Sequence, residues 1–166
     1  DLSSVELECP DLTEADLTGA NLSGVKFGPP QEQDPITKAW YYPPEKCASF
    51  RRALLNESNF TEASLVLADF TSAEMKLVNF SKSMLWGAIF RENRLAGVNL
   101  SGADLTGAGF ALSHLDGVDL RGVGGGVTTA SGFVAAGNSE IPVRSDGNAD
   151  GSVNGIEAGD VVGIQG

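Results

Sequence analysis

Residues 68–87 read ADFTSAEMKLVNFSKSMLWG, four blocks of five in a single register. Phe70, Met75, Phe80 and Leu85 hold the large apolar place in each block, and Ala68, Ala73, Val78 and Ser83 hold a small one two residues earlier. Residues two apart point to the same side of an extended backbone. Each block therefore hides one small and one large side chain and gives the rest to water. An amphipathic α-helix needs apolar spacings of three and four, so a period of five excludes it. Outward from this stretch, the register runs unbroken from Phe50 to Leu120, and a first block runs from Leu2 to Phe27. All 21 large positions are Leu, Phe or Met, and they take seven of the eight phenylalanines in the chain, so the period belongs to the fold and not to composition. Of 20 small positions ten are Ala, five Val and three Ser, which leaves Pro10 and Asn93 as the departures. Asn93 is expected to satisfy its amide along the ladder.

The segments ADLTG (15–19), ANLSG (20–24), ADFTS (68–72) and ADLTG (103–107) resemble the A(D/N)LXX pattern of the pentapeptide-repeat family. The resemblance covers residues 1–27 and 48–122. It implies an all-β fold, a right-handed quadrilateral parallel β-helix in which four repeats make one square coil and coils stack at ~4.8 Å. About five coils follow, with Phe50, Phe70, Phe90 and Phe110 on one side and Phe60 and Phe80 on the opposite one. The expected organisation is a β-helix over 1–123, an insertion at 28–47 and an irregular Gly-rich tail over 124–166. Such a core is filled by its own side chains and offers no interior substrate pocket. Each coil touches only its neighbours, so the ends need caps.

The insertion GPPQEQDPITKAWYYPPEKC (28–47) carries five prolines, which bar regular pairing through most of it. It reads as a loop thrown out at a corner. Its adjacent aromatics Trp40, Tyr41 and Tyr42 suit partner binding, since they bring contact area at low entropy cost. The second side of the helix is expected to expose Val66 and, one coil up, Trp86, with Met84 beside it. Two readings of this group stand: a docking surface for a protein partner, or a loop that folds back so that its aromatics cover Trp86. If the coil resumes at Ala48, Cys9 and Cys47 fall on the same corner one coil apart, inside the reach of a disulfide. Two half-buried thiols are the alternative. The bridge would imply an oxidising compartment such as periplasm, secreted space or thylakoid lumen.

The tail contains DGNADGSVNGIE (146–157), which matches a complete calcium-loop pattern. Asp146, Asn148 and Asp150 would supply side-chain oxygens, Ser152 its carbonyl and Glu157 both carboxylate oxygens to a Ca2+ ion. Neither flank reads as a good helix, and a Gly/Asp/Asn-rich tail also matches such a pattern by accident.

The chain of 166 residues has 42% hydrophobic residues and a net charge of −11, which disfavours direct binding to nucleic acid or anionic lipid. No stretch approaches the ~20 apolar residues of a membrane-spanning helix. The chain opens on Asp1, which fits either a removed presequence or trimming. His114 is the single histidine, and no Ser or Cys aligns with it as a catalytic constellation, so the chain reads as a non-enzyme. The family resemblance implies a binding or scaffold module, an accessory subunit docked on a larger assembly, with a photosynthetic membrane complex among the candidates. The same resemblance admits a second reading, since some members mimic DNA and bind DNA gyrase. That requires a continuous anionic flank. Residues 48–123 hold eight acids and seven bases, so Arg51, Arg52, Lys76, Lys82, Arg91 and Arg94 interrupt any such flank.

Overall fold

The computed structural model describes residues 1–29, 31–41, 48–115 and 117–124. They form a right-handed quadrilateral β-helix in which each side contributes one parallel bridge per coil. Along the first side Asn21, Asn59, Asn79, Asn99 and Asp119 pair one above the next. The large inward residues of coil one are Leu2, Leu7, Leu12 and Leu17, and those of coil two are Leu22, Phe27, Phe50 and Leu55. Coils three, four and five follow from Phe60, Phe80 and Leu100, and Leu120 begins the sixth. Glu6 pairs with Lys26, but Asp11 pairs with Ser49 and Asp16 with Leu54. The insertion thus leaves after the second side of coil two, and Phe50 opens the third side as if nothing had intervened.

The five-residue unit explains itself bond by bond. On the third side Phe70 N–H donates to Ile89 O at 2.8 Å and Ser72 N–H to Arg91 O at 2.9 Å, while Asp69 N–H reaches back to Ala48 O at 2.9 Å. Ala73 N–H closes the corner on Phe70 O at 3.1 Å. The Asp or Asn before the large residue has a reason too. Its Oδ1 accepts the N–H two residues on, as in Asp16 with Thr18 at 3.0 Å and Asn59 with Thr61 at 3.1 Å. The Thr13 hydroxyl and N–H, and the Thr18 N–H and hydroxyl, correspondingly hold the carboxyls of Asp11 and Asp16 below the usual range.

The corner residue two places after the large one lies in the left-handed region, at Glu57, Leu67 and Leu77 as well as at glycines. At Gly87 and Gly97 glycine is favoured on two counts. Each has positive φ, and a Cβ would meet Leu67 Cδ2 at 2.6 Å or Leu77 Cδ2 at 2.8 Å from the coil below.

The core is a column of rings and aliphatic chains. Phe50, Phe70, Phe90 and Phe110 stack at 4.8, 4.9 and 4.8 Å, nearly parallel, while Phe60 and Phe80 stack at 5.0 Å on the opposite side. The two columns meet edge to face, as Phe70 does with Phe80 at 5.4 Å and 76°. Asn93 departs from this order. It is 1% exposed, and neither Nδ2 nor Oδ1 has a hydrogen-bond partner, which corrects the expectation that the ladder satisfies it. The inward Ser113 one coil above spends its hydroxyl on Phe90 O and the Asn93 backbone N–H, not on the Asn93 amide.

Residues 31–41 of the insertion form a hairpin despite the prolines around them. Strands β1 (Glu32–Gln33) and β2 (Trp40–Tyr41) pair antiparallel, Glu32 opposite Tyr41 and Gln33 opposite Trp40. Asp34 builds the connecting turn. Its Oδ1 accepts the N–H groups of Ile36 at 2.9 Å and Thr37 at 2.6 Å, its carbonyl accepts Lys38 N–H at 3.0 Å, and Pro35 presets φ between them.

Candidate docking side

On the second side the outward places before the large residue are Glu6, Lys26, Ser64, Met84 and Asp104, and those after it are Glu8, Gly28, Val66, Trp86 and Thr106. Polar residues are the rule there, because these side chains leave the wall toward water. Met84 and Trp86 break it on one coil and stay 44% and 38% exposed. Their backbones are fixed by the ladder: Met84 N–H donates to Ala63 O at 2.8 Å, and Trp86 O accepts Leu67 N–H at 2.8 Å.

Val66 corrects the expectation that it is exposed. It points outward yet is fully buried. Gly28, its neighbour in the coil below, lies so close that a Cβ there would stand 3.2 Å from Val66 Cβ, and Pro29 at the start of the insertion is buried as well. The exit of the insertion thus covers this side at the level of Val66, whereas Met84 and Trp86 one coil higher are only half covered. The backbones of Trp40 and Tyr41 form β2, and Tyr42 lies outside the described residues.

One residue belongs with this group although the sequence reading passed over it. Ile89, 43% exposed, occupies the outward place on the third side that Asp11, Ser49 and Asp69 fill in lower coils. Only Gly87 and the inward Ala88 separate it from Trp86, so the apolar surface continues around the corner, with half-buried Leu67 on the corner below. An isoleucine where the repeat calls for Asp or Asn was the legible signal.

The third side below Ile89 carries a shallow groove lined by Thr13, Arg51, Arg52, Asp69, Thr71, Ser72, Arg91 and Glu92. Its arginines are paired: Arg51 with Asp69 at 2.8 Å, Arg91 with Glu92 at 3.1 Å, and Arg52 with Glu14. Burial acts to raise the Asp69 carboxyl, but the Thr71 hydroxyl and N–H and the Arg51 guanidinium outweigh it and leave it lowered. Alternating signs of this kind present no stripe of one charge to a polyion.

Cys9 is half-buried with φ +44°, and Cys47 lies outside the described residues. So do the calcium-loop residues Asp146, Asn148, Asp150, Ser152 and Glu157. Among the described residues no three His, Cys, Asp or Glu side chains come together as a metal site, and no helix is long and apolar enough to cross a membrane.

Comparison with known proteins gives the same architecture. A pentapeptide repeat protein, Rfr23 from the cyanobacterium Cyanothece 51142, superposes with a TM-score of 0.53 at 25% identity, covering 76% of this chain and 91% of that one. A pentapeptide repeat protein of the Arabidopsis thaliana thylakoid lumen is 28% identical over 64% of this chain and 65% of its own, with a TM-score of 0.41. The plasmid-mediated fluoroquinolone resistance protein QnrB1 is 19% identical over 76% of this chain and 77% of its own, with a TM-score of 0.28. No curated protein matches the sequence. The sequence model of the Pentapeptide repeats matches eight copies across residues 1–28, 48–87, 73–110 and 87–122, and the chain belongs to that family.

Proposed function

We propose that the chain is a non-catalytic binding module that holds a protein partner on its second side, within a larger assembly in an oxidising compartment. The observation that carries the reading is the apolar surface of Met84, Trp86 and Ile89, exposed at places the repeat reserves for polar residues. A solvated wall has no use for a tryptophan there, and an aromatic with a Met beside it supplies contact area to a partner at low entropic cost. The hairpin of the insertion leaves from the corner between the second and third sides, and Trp40, Tyr41 and Tyr42 are the aromatics we assign to the same partner. The similarity to a cyanobacterial chain supports looking first among thylakoid-membrane complexes for the partner. A photo-crosslinking residue at position 86 is expected to capture one partner that the same residue at Ala96, on the fourth side, does not. Met84→Ser with Trp86→Ser should abolish the capture from a crosslinker at position 89 while leaving thermal unfolding within about 1 kcal/mol, as surface changes do. Equal capture from positions 86 and 96 would remove the second side from consideration.

The compartment rests on the two cysteines. Ser49 N–H donates to Pro10 O at 3.0 Å, so Ala48 sits one coil above Pro10, and each of these two residues follows a cysteine in the sequence. That register supports a Cys9–Cys47 disulfide. Intact mass of protein from its native source should fall two hydrogens short of the reduced form, with one peptide linking Cys9 to Cys47. Two alkylatable thiols would rule out the bridge and with it the oxidising compartment. In the tail, residues 146–157 are the place for a Ca2+ ion if the module binds one.

A further inference from the structure

We propose that the underside of the first coil is a second docking site, which takes a basic extended strand of a partner protein beneath residues 5–8. From Leu22 upward the large inward residues are buried, and at the far end so are Leu105, Phe110, Leu115 and Leu120. At the near end Leu2 is 39% and Leu7 50% exposed, and among the described residues no coil lies beneath them. The backbone there is set to receive one more rung. In higher coils the residue before the large one donates its N–H downward, as Lys26 does to Val5 O at 2.9 Å and Ser49 to Pro10 O at 3.0 Å. The carbonyls on either side of the large residue accept from below, as Lys26 O accepts Leu7 N–H at 3.1 Å and Ser23 O accepts Ser4 N–H at 2.8 Å. On the underside Glu6 N–H and the carbonyls of Glu6 and Glu8 hold those places. A parallel strand laid beneath residues 5–8 thus meets one donor and two acceptors, with Leu7 against its own central side chain.

Charge decides the occupant. Residues 1–27 hold six acids and one base, and Leu7 stands between the exposed Glu6 and Glu8. The other three sides of coil one have an acid at one outward place only, before Leu2, Leu12 and Leu17. Within the helix acids and bases alternate between neighbouring coils. Lys26 pairs with Glu6 below it, Lys82 with Glu62, and Arg52 with Glu14. The same rule beneath Glu6 and Glu8 calls for Lys or Arg at the two outward places of the strand, with an apolar residue between them. A second copy of this chain does not fit. Its own first coil is equally acidic, so like charges would face each other across the junction, and its far end is closed. The same acids keep the open edge from pairing with its own kind. The inference does not rest on the Met84–Trp86 surface, which lies three coils higher.

A short synthetic peptide with Lys-Leu-Lys at its centre, titrated to about 1 mM into the full chain and followed by NMR, tests the site. It should move the amide signals of residues 5–8 saturably, leave those of residues 98–101 in place, and slow exchange of the Glu6 amide at least about tenfold. Glu8→Lys should weaken this peptide at least about tenfold and admit a Glu-Leu-Glu peptide in its place. Exchanging the peptide's leucine for serine should weaken binding by a similar factor, a comparison that needs no variant to fold. Equal binding of the leucine and serine peptides, or equal binding to the protein and its Glu8→Lys variant, would reduce the effect to attraction of a cation by a chain of net charge −11 and overturn the site. So would the lack of any saturable shift. A Glu6 amide already protected in the chain without peptide would overturn it as well, because the polypeptide's own residues would then occupy the underside.

Discussion

Phe70→Ala should lower the stability of the β-helix by about 3–5 kcal/mol, the cost of removing a fully buried aromatic from a core that closes only partly over the gap. Phe70 is one of the two inner rings of its column. It stacks on Phe50 at 4.8 Å and Phe90 at 4.9 Å and meets Phe60 and Phe80 edge to face at 6.4 and 5.4 Å. The gap cannot collapse, because the walls on either side are held at strand spacing by ladder bonds that do not shorten. Chemical denaturation followed by circular dichroism measures the loss. Phe110→Ala, in the last ring of the same column with one stacked neighbour, should cost less. Equal losses at 70 and 110 would show that the rings act one by one and not as a stack. The loss should also reach beyond its own coil, since a nearest-neighbour solenoid passes a weakened interface to both flanks.

The second large effect has the opposite sign. Asn93→Ala is expected to stabilise the protein by about 1–2 kcal/mol, a shift of several degrees in a thermal melt. The native amide is 1% exposed and has no partner for donor or acceptor, and each unsatisfied buried group costs about 1–3 kcal/mol. The methylene and amide volume lost with the side chain offsets part of that gain. Alanine is already buried at eight other places of this kind, among them Ala53, Ala88 and Ala103, and so fits the wall. A fall in melting temperature would mean that Asn93 is satisfied, by an ordered water in the core for instance. Stabilising substitutions are common in natural proteins, and here the gain comes from removing a buried polar side chain that has no partner.

How far the molecule could be read beforehand differs sharply between its parts. The period of five, the inward small and large pair, the Asp or Asn whose side chain folds onto the backbone two residues ahead, and the two columns of phenylalanine are all local or strictly periodic. Each repeat meets the same neighbours, so the pattern carries the tertiary contacts within it. The departures carry information as well: Met84 and Trp86 were legible as outward apolar residues, and Ile89 would have been by the same test.

What only the tertiary structure decided lies where the period breaks. Val66 looks exposed from its place in the repeat and is buried, because Gly28 and Pro29 come from a segment whose path no repeat predicts. The Pro-rich insertion forms a hairpin because Asp34 caps its turn, a single side chain outweighing the proline content around it. The cost of Asn93 was invisible in sequence, where an amide on a ladder looks satisfiable. Whether it is depends on which backbone groups the coils above and below have left free, and at that wall they have left none in reach. Periodic contacts are written in the chain by repetition, whereas contacts across an insertion and the satisfaction of one buried polar group depend on distances that exist only once the coils have stacked.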